Sequence, residues 1–192
     1  GGQCMNPSTE DFIGAFDRVS SEKMIVLPNN GNVILAARQA AQLYSKAEVY
    51  VLESRSIGEG YAALTMLDTT SGDIDVIMNG LECAMQGVKT VMVSKSVRDA
   101  ELGGMSVKSG EYIAISGKSI IAAENERVTA AKEAVKNIIS ADASILLIFR
   151  GADAPASEAE ELAEFARESF PAAEIYEIDG KQEIYDFILV SE

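Results

Sequence analysis

Hydroxyl and amide side chains cluster at three predicted turns of this chain. They are Asn6, Ser8 and Thr9 in the first turn, Asn29 and Asn30 in the second, and Ser54, Arg55 and Ser56 in the third. Side chains of these types donate hydrogen bonds to anions. Backbone N–H groups at the start of a helix favour the same ligands. The chemistry open to these residues is therefore the binding of a carboxylate or phosphate group of a ligand or partner.

The chain carries little of the inventory that catalysis needs. It has no His, no Gly-rich phosphate loop and no P-loop lysine. Nucleophilic catalysis would require a base other than His beside a Ser or Cys, and the sequence offers no such pair. The carboxylates do not follow a calcium-loop spacing, and a zinc site without His or paired Cys would need an all-carboxylate shell. We expect no catalytic residue, no metal and no cofactor in this chain.

Each candidate residue also has a structural interpretation. Ser8 and Thr9 are typical of a helix start, where a hydroxyl caps the first backbone N–H groups. Asn29 and Asn30 tolerate left-handed backbone and can cap the following helix. Arg55 is the basic residue of the three turns, and it is either a solvated surface residue or a clamp for a carboxylate or phosphate. Both interpretations stay open at this point.

Short apolar strands that alternate with helices position these turns. Strands are predicted at Met24–Leu27 and Val49–Leu52, and each leads into one of the polar turns. Helices should follow over about residues 32–46 and 61–67. This alternation is typical of an α/β fold with a parallel sheet, in which turns at the carboxyl ends of strands form the ligand crevice. Asp73 begins a further helix by the same apolar periodicity.

The order of elements changes after residue 88. Strands are predicted at Thr90–Ser94, Glu111–Ser116, Ser119–Ala123, Ser144–Phe149, Glu174–Ile178 and Ile184–Val190. The second and third of these form a hairpin about Gly117-Lys118, and Ser144–Phe149 is apolar enough to be central. Ser157 and Glu160 form a predicted capping box for the last helix. We predict two units: residues 1–88, a parallel-sheet α/β unit that lacks its first strand, and residues 89–192, an α+β unit with helices on one face of a mixed or antiparallel sheet.

Composition limits the partners and the compartment. The 192 residues include 16 Lys and Arg against 30 Asp and Glu, a formal charge of -14. Such a surface repels nucleic acid and anionic lipid. No apolar run reaches the roughly 18 residues of a membrane span, so we expect no integral membrane segment. Cys4 and Cys83 are far apart, which favours a reduced cytoplasmic protein, with Cys83 near the core. The abrupt start suggests a fragment of a longer protein.

Several segments together resemble one family. They are Gly1–Phe12, Ile25–Asn30, Ser54–Gly60, Val97–Asp99 and Gly180–Glu192. In this order they resemble the C-terminal domain of the dihydroxyacetone-kinase-like A subunit of bacterial fatty-acid kinase, over essentially the whole chain. Two loops depart from the family pattern. Gly180-Lys-Gln-Glu183 stands where members usually have Gly-Gly-Gln-Pro, and Glu53-Ser-Arg-Ser56 stands where Pro-Thr-Lys-Thr is more typical.

A more distant similarity is to the DegV family of fatty-acid-binding proteins. Met5–Phe12 matches a Ser-Gln-Pro-Ser-Pro segment of that family. Asn29 and Asn30 stand where those proteins carry a Ser-Ser turn that helps to hold the fatty-acid carboxylate. Replacing two hydroxyls by two amides argues against an unchanged carboxylate site, although amides also donate hydrogen bonds.

The resemblance implies a DegV-like fold, with catalysis and partner binding assigned to different domains of the parent protein. ATP, Mg and phosphoryl transfer belong to a separate kinase domain, and this chain is expected to dock a DegV-type fatty-acid-binding partner as part of a homo-oligomeric parent protein. One alternative is a domain with its own pocket for a fatty acid or another small anion. The other is an independent hydrolase or phosphatase.

Overall fold

The computed structural model describes residues 6–102, 104–140 and 143–192 of the chain. Residues 1–5 of the opening motif, which include Cys4, lie outside these described residues. The chain divides between Val88 and Lys89 into two units. Each unit has its own strands, helices and apolar core, and each is described separately below.

The first unit contains one β-α-β motif and four helices among its described residues. Its elements are α1 (Thr9–Phe16), β1 (Lys23–Val26), α2 (Ile34–Leu43), β2 (Glu48–Val51), α3 (Ile57–Thr65) and α4 (Ile74–Met85). Strands β1 and β2 pair in parallel, with Lys23 opposite Glu48 and Val26 opposite Val51. The predicted parallel pairing is thus confirmed. Parallel pairing brings the carboxyl ends of both strands to one edge, where the second and third polar turns begin.

Side chains on both faces of the β1–β2 pair are covered by helices. Met24 and Val26 belong to a cluster with α1 and α2, whereas Ile25 belongs to a cluster with α3 and α4. This division follows from the strand geometry, in which successive side chains point to opposite faces. Buried Leu52, Ala63 and Leu81 form the centre of the second cluster.

The second unit is built on a six-stranded mixed sheet. Its elements are β3 (Lys89–Lys95), β4 (Ala100–Leu102), β5 (Met105–Val107), β6 (Tyr112–Ser116), β7 (Ser119–Glu124), α5 (Arg127–Ile138), β8 (Ile145–Arg150), α6 (Ala156–Ser169), β9 (Glu174–Asp179) and β10 (Phe187–Ser191). The large sheet has the order β7-β6-β3-β10-β8-β9, and β4 pairs with β5 separately. Within the large sheet β8 and β9 pair in parallel, and the other described neighbours pair antiparallel.

Helices α5 and α6 pack against one face of this sheet. Phe187, Leu189 and Val93 are completely buried on that face, in register across β10 and β3. Leu162 of α6 is completely buried as well. Full burial of each large apolar side chain contributes about 1.5–3 kcal/mol to folding. The predicted arrangement, helices on a mixed sheet, is confirmed.

Of the predictions about this sheet, one is confirmed and two are refined by the strand order. The hairpin about Gly117 is confirmed, and Gly117 adopts a φ of 57° that suits glycine. Strand β8 is an interior strand, but β3 and β10 are the central pair. The last two strands are not neighbours, because β8 lies between β9 and β10. The turn between β9 and β10 contains Lys181, whose φ of 55° lies in the left-handed region. At this position the family that the chain resembles usually has glycine.

Several predicted helix starts are displaced. The capping box at Ser157 is wrong, because Pro155 is the N-cap of α6 and its carbonyl accepts from Glu158 N at 3.2 Å. Ser157 therefore lies inside the first turn. Helix α3 begins at Ile57 rather than Tyr61, with Ser56 as its N-cap.

Two further residue-level predictions are also wrong. The N-cap of α2 is Val33, without a side-chain hydrogen bond, so neither Asn29 nor Asn30 caps that helix. The sequence predicts Cys83 near the core, but it is exposed. In α4 the buried position is Leu81, and the apolar stripe that packs on α3 leaves Cys83 on the solvent side.

Candidate functional site

Two of the predicted polar turns meet at the carboxyl ends of β1 and β2. The backbone N–H of Asn29 donates a hydrogen bond to the Ser54 Oγ atom at 3.0 Å. Ser54 is completely buried. The bond ties the turn after β1 to the turn after β2, as expected for neighbouring parallel strands whose ends share one edge.

The Asn29 side chain fills the space in front of the first turns of α3. Asn29 has a φ of 55°, the left-handed backbone that its sequence position suggested. A Cβ atom at Gly60 would overlap Asn29 Oδ1, so only glycine allows this approach. Among the described residues, Asn29 Oδ1 is buried without a hydrogen-bond partner. A ligand carboxylate at this point would have to displace the protein's own amide.

Ser56 and Glu59 complete the start of α3. Ser56 Oγ accepts a hydrogen bond from the Glu59 N–H at 3.2 Å, which is the bond of an N-cap. The Glu59 carboxylate in turn accepts from the Arg55 backbone N–H at 2.5 Å. These bonds use the polar groups of the turn to begin the helix. The acid in the first turn also complements the helix dipole.

The Arg55 guanidinium extends from this turn into solvent. Its side chain is 67% exposed and lies 3.7 Å from the Glu53 carboxylate. Glu53 also forms an ion pair with Arg38 of α2. Exposed ion pairs of this kind stabilise a fold by at most about 1 kcal/mol. Arg55 therefore forms part of a mixed-charge rim with Glu53 and Arg38.

The remaining candidates lie at the start of α1 and in the turn before α2. Ser8 and Asp11 form a capping box at the start of α1, which confirms Ser8 as N-cap. The backbone and side-chain hydrogen bonds from Ser8 lower the pKa of Asp11. The Thr9 hydroxyl donates to Gln39 Oε1 at 3.3 Å, and Asn30 Oδ1 accepts from the Asn32 N–H at 2.9 Å. Asn6 is exposed just before α1.

A charged cluster in the second unit is absent from the sequence-based candidates. Arg127 Nε lies 2.8 Å from Asp186 Oδ1, and Arg127 Nη1 donates to Glu158 Oε2 at 3.0 Å. The guanidinium also lies over the Tyr112 ring, 5.2 Å from its centroid. The signal in the sequence is an arginine at the first position of a helix, where the dipole disfavours a cation unless carboxylates surround it.

Burial dominates the electrostatics of this cluster. Asp186 is 8% exposed, and its burial raises the pKa of its carboxyl group. The charge and hydrogen bonding of Arg127 lower this pKa, while Asp153 and Glu158 raise it further. Arg127 thus ties the start of α5 to the start of α6 through Glu158 and to the residue before β10 through Asp186.

The chemistry that these sites support is hydrogen bonding and charge pairing. Within the part of the chain that the structure describes, no group of three or more His, Cys, Asp or Glu side chains could hold a metal ion. The described helices include none long and apolar enough to cross a membrane. The polar turns of the first unit and the Arg127 cluster mainly stabilise the units that contain them.

Comparison with known sequences identifies relatives along the entire chain. A family model for the C-terminal region of fatty acid kinase A-subunit-like proteins matches residues 1–192. The protein YloV of Bacillus subtilis is 34% identical over 192 residues, which are 100% of this chain and 34% of that protein. An uncharacterized protein of Staphylococcus haemolyticus is 32% identical over 188 residues, 98% of this chain and 34% of that protein. The chain thus spans about one third of the length of these curated relatives.

Comparison with solved structures identifies the fold. The fatty acid kinase B3 protein of Streptococcus pneumoniae, solved loaded with linoleic acid, superimposes with a TM-score of 0.69 at 15% identity. The match covers 96% of this chain and 75% of that one. DegV of Bacillus subtilis, described as a fatty acid binding protein, superimposes with a TM-score of 0.61 at 16% identity, over 96% of this chain and 76% of that one. The chain therefore has the DegV-like fold.

Proposed function

The chain belongs to the C-terminal family of fatty acid kinase A-subunit-like proteins, and from this premise we propose that it is a non-catalytic docking domain. Its partner is a fatty-acid-binding protein of the DegV type, whose bound fatty acid is phosphorylated by a separate kinase domain. ATP and Mg²⁺ bind to that kinase domain. The parent protein is a cytoplasmic homo-oligomer in this proposal.

One observation carries the proposal. The family resemblance aligns the turn at Asn29 with the turn that helps to hold a fatty-acid carboxylate in DegV proteins. In this chain an amide, Asn29, stands at that turn and packs against Gly60 of α3. A DegV-like fold whose crevice is filled by its own amide is better suited to contact a lipid carrier than to carry lipid itself.

Calorimetric titration tests this function. The 192-residue chain is titrated with a purified fatty-acid-binding protein of the DegV type, once loaded with fatty acid and once empty. We expect heat with a defined stoichiometry, and a difference between the loaded and empty forms would indicate that docking senses the cargo. An unrelated, equally acidic protein in place of the chain serves as the control. Absence of heat at concentrations on the order of 100 µM would contradict docking.

A second candidate function is a fatty-acid site within this chain. It is favoured by the fold, because the solved structures that share it include proteins loaded with fatty acid. Under this alternative the Asn29 side chain swings away and the N–H groups at the start of α3 bind the carboxylate. Native mass spectrometry of the purified protein distinguishes the two functions, since a co-purified fatty acid at one equivalent supports the alternative and a bare mass supports docking.

A further inference from the structure

Helix α3 exposes large apolar side chains and buries small ones. Ile57, Tyr61 and Leu64 follow one another at helical spacing and are 40%, 42% and 57% exposed. The spacing puts all three on one face of the helix. The apolar surface continues past the helix end with Met66 and Leu67, which are 64% and 42% exposed. We call the surface formed by these five residues the α3 face.

The buried positions of α3 carry only small residues. They are Gly58, Gly60, Ala62 and Ala63. Gly60 packs directly under the Asn29 side chain, and Ala63 packs with Leu52 and Leu81. The helix therefore cannot rotate to bury the α3 face. Surface helices usually have the reverse arrangement, with large apolar residues inward, and a contiguous exposed apolar surface of this kind marks an interaction site.

The segment of the chain that carries the α3 face is acidic, and its charge indicates what kind of surface binds it. The segment Ser56–Val88 contains five acidic residues and no Lys or Arg, a formal charge of −5. The acids are Glu59, Asp68, Asp73, Asp75 and Glu82. A second copy of the chain on this face would bring two such segments together, and like charges across an interface suppress association. Complementarity requires a partner whose apolar patch is bordered by Lys and Arg.

We propose that the α3 face binds the partner protein through an apolar patch bordered by basic residues on that partner. The inference rests on the proposed function, because it assigns the surface on which the DegV-type protein docks. It places the contact on the apolar side of α3, and the polar turns at Asn29, Asn30 and Arg55 then position the helix. Apolar residues at the centre of an interface supply most of its affinity, whereas rim charges guide encounter.

A pair of double variants tests the surface. The first carries Leu64→Ser and Met66→Ser on the α3 face. The matched control carries Leu35→Ser and Leu43→Ser on α2, which are 67% and 70% exposed in the same unit. The probes are the fatty acid kinase B3 protein of Streptococcus pneumoniae and DegV of Bacillus subtilis. Circular dichroism and the urea midpoint verify that both variants are folded.

The expected result is a loss of affinity that only the α3 face variant shows. We expect its Kd to rise at least about tenfold, while the Kd of the control stays within about twofold of the unsubstituted chain. Equal affinity of the unsubstituted chain and the α3 face variant would overturn the surface and leave docking intact. Absence of binding by the unsubstituted chain would overturn the proposed function and the partner together. A dimer of the chain that the α3 face variant abolishes, seen by analytical ultracentrifugation, would overturn the choice of occupant.

Discussion

Asn29, in the turn after β1, packs directly against Gly60 of α3, so each position limits the side chain that the other can carry. The left-handed backbone of Asn29 directs its amide across the first turns of the helix, where Gly60 leaves room for it. Gly inside a helix costs about 1 kcal/mol relative to Ala. Glycine is needed at position 60 despite this cost, because the Asn29 side chain leaves no space for a Cβ atom.

Substitution of Gly60 should therefore have opposite effects in two backgrounds. Gly60→Ala should destabilise the chain by about 1–3 kcal/mol, because the new Cβ atom overlaps the half-buried Asn29 side chain. With Asn29→Gly the side chain is gone and the left-handed backbone is kept. In that background Gly60→Ala should be neutral or stabilising by up to about 1 kcal/mol. Urea unfolding of the four chains measures the coupling.

Gly80 supplies the control for this pair. It also lies inside a helix, but nothing approaches within 4 Å of the Cβ atom that Ala would add. Gly80→Ala should raise the free energy of unfolding by up to about 1 kcal/mol in either background. Equal costs of Gly60→Ala with and without the Asn29 side chain would mean that the contact does not determine the choice of glycine.

Arg127 and Asp186 form a buried ion pair. Each residue stabilises the fold mainly because it keeps the other charge from being buried alone. Taking both charges out of water is costly, and a well-placed pair recovers little more than this cost. Removing one partner is different, because it leaves the other charge buried alone. Asp186 is the more buried of the two and already has a raised pKa, caused first by burial and opposed by Arg127.

Arg127→Met should therefore destabilise the second unit in a pH-dependent way. The methionine keeps the apolar stem, so the loss of about 3 kcal/mol expected at pH 7 reflects the unpaired Asp186 carboxylate. Without Arg127 the folded-state pKa of Asp186 rises further above its ordinary value of 3.8. A raised folded-state pKa gives stability that is present below the unfolded pKa and is lost as pH rises through the folded one. The destabilisation should therefore be smaller at about pH 4.5 than at pH 7.

The measurement is the difference in unfolding free energy between variant and unsubstituted chain at the two pH values. Using this difference removes the titration of the many surface carboxylates that both chains share. Asp186→Asn is the control background, in which the effect of Arg127→Met should lose most of its pH dependence. The neighbouring Asp153 and Glu158 carboxylates remain and can leave a small slope. The same destabilisation at both pH values would contradict a role for Asp186 ionisation.

At the scale of elements, α4 depends on its N-cap residue, Asp73. Asp73 Oδ1 accepts hydrogen bonds from the N–H groups of Asp75 at 2.9 Å and Val76 at 3.4 Å. Asp73→Ala should cost about 1 kcal/mol, because two N–H groups lose their partner, and Asp73→Asn should restore most of it. Glu82→Ala, in the exposed middle of the helix, should stay within about 0.5 kcal/mol. Urea unfolding of the three variants tests this order of stabilities. Equal losses of unfolding free energy for Asn and Ala at position 73 would exclude capping as the cause.

Elements whose boundaries depend on local side chains could be predicted from the sequence. Ser8 and Asp73 begin their helices as expected because an N-cap acts within three residues of itself. Ser56 begins α3 by the same local signal, but Gly58 and Gly60 disfavour a helix in isolation, so the sequence predicts a later start, at Tyr61. At position 60 the fold requires glycine despite that preference, because the Asn29 side chain leaves no space for a Cβ atom. The capping box at Ser157 is wrong because Pro155, two residues earlier, is the N-cap of the helix and no side chain caps it.

The candidate site shows the same division between what is local and what is tertiary. The meeting of Asn29 and Ser54 follows from two parallel strands and could be expected from their order. The position of the Asn29 amide over Gly60 could not, because it depends on where α3 lies. The exposure of Ile57, Tyr61 and Leu64 is likewise a property of packing. Their spacing indicates one face of a helix but not whether that face is inside or outside.

At the scale of the whole molecule, the negative charge should govern how fast a partner arrives. The chain carries a formal charge of -14, and the segment with the α3 face contributes to it without any basic residue. Long-range attraction of a basic surface raises association rates, and salt screens it beyond about 8–10 Å. Short-range apolar contacts are far less sensitive to salt and act mainly on dissociation.

Stopped-flow measurement of docking should therefore separate the two contributions. Between about 50 and 500 mM NaCl we expect the association rate constant to fall about tenfold or more, with little change in the dissociation rate constant. The variant with Leu64→Ser and Met66→Ser should keep the same salt dependence of association and should dissociate faster. The α2 control variant should match the unsubstituted chain in both rates. Association that is insensitive to salt would contradict a basic rim on the partner, because the acidic segment that contains the α3 face would then have no opposite charge to attract.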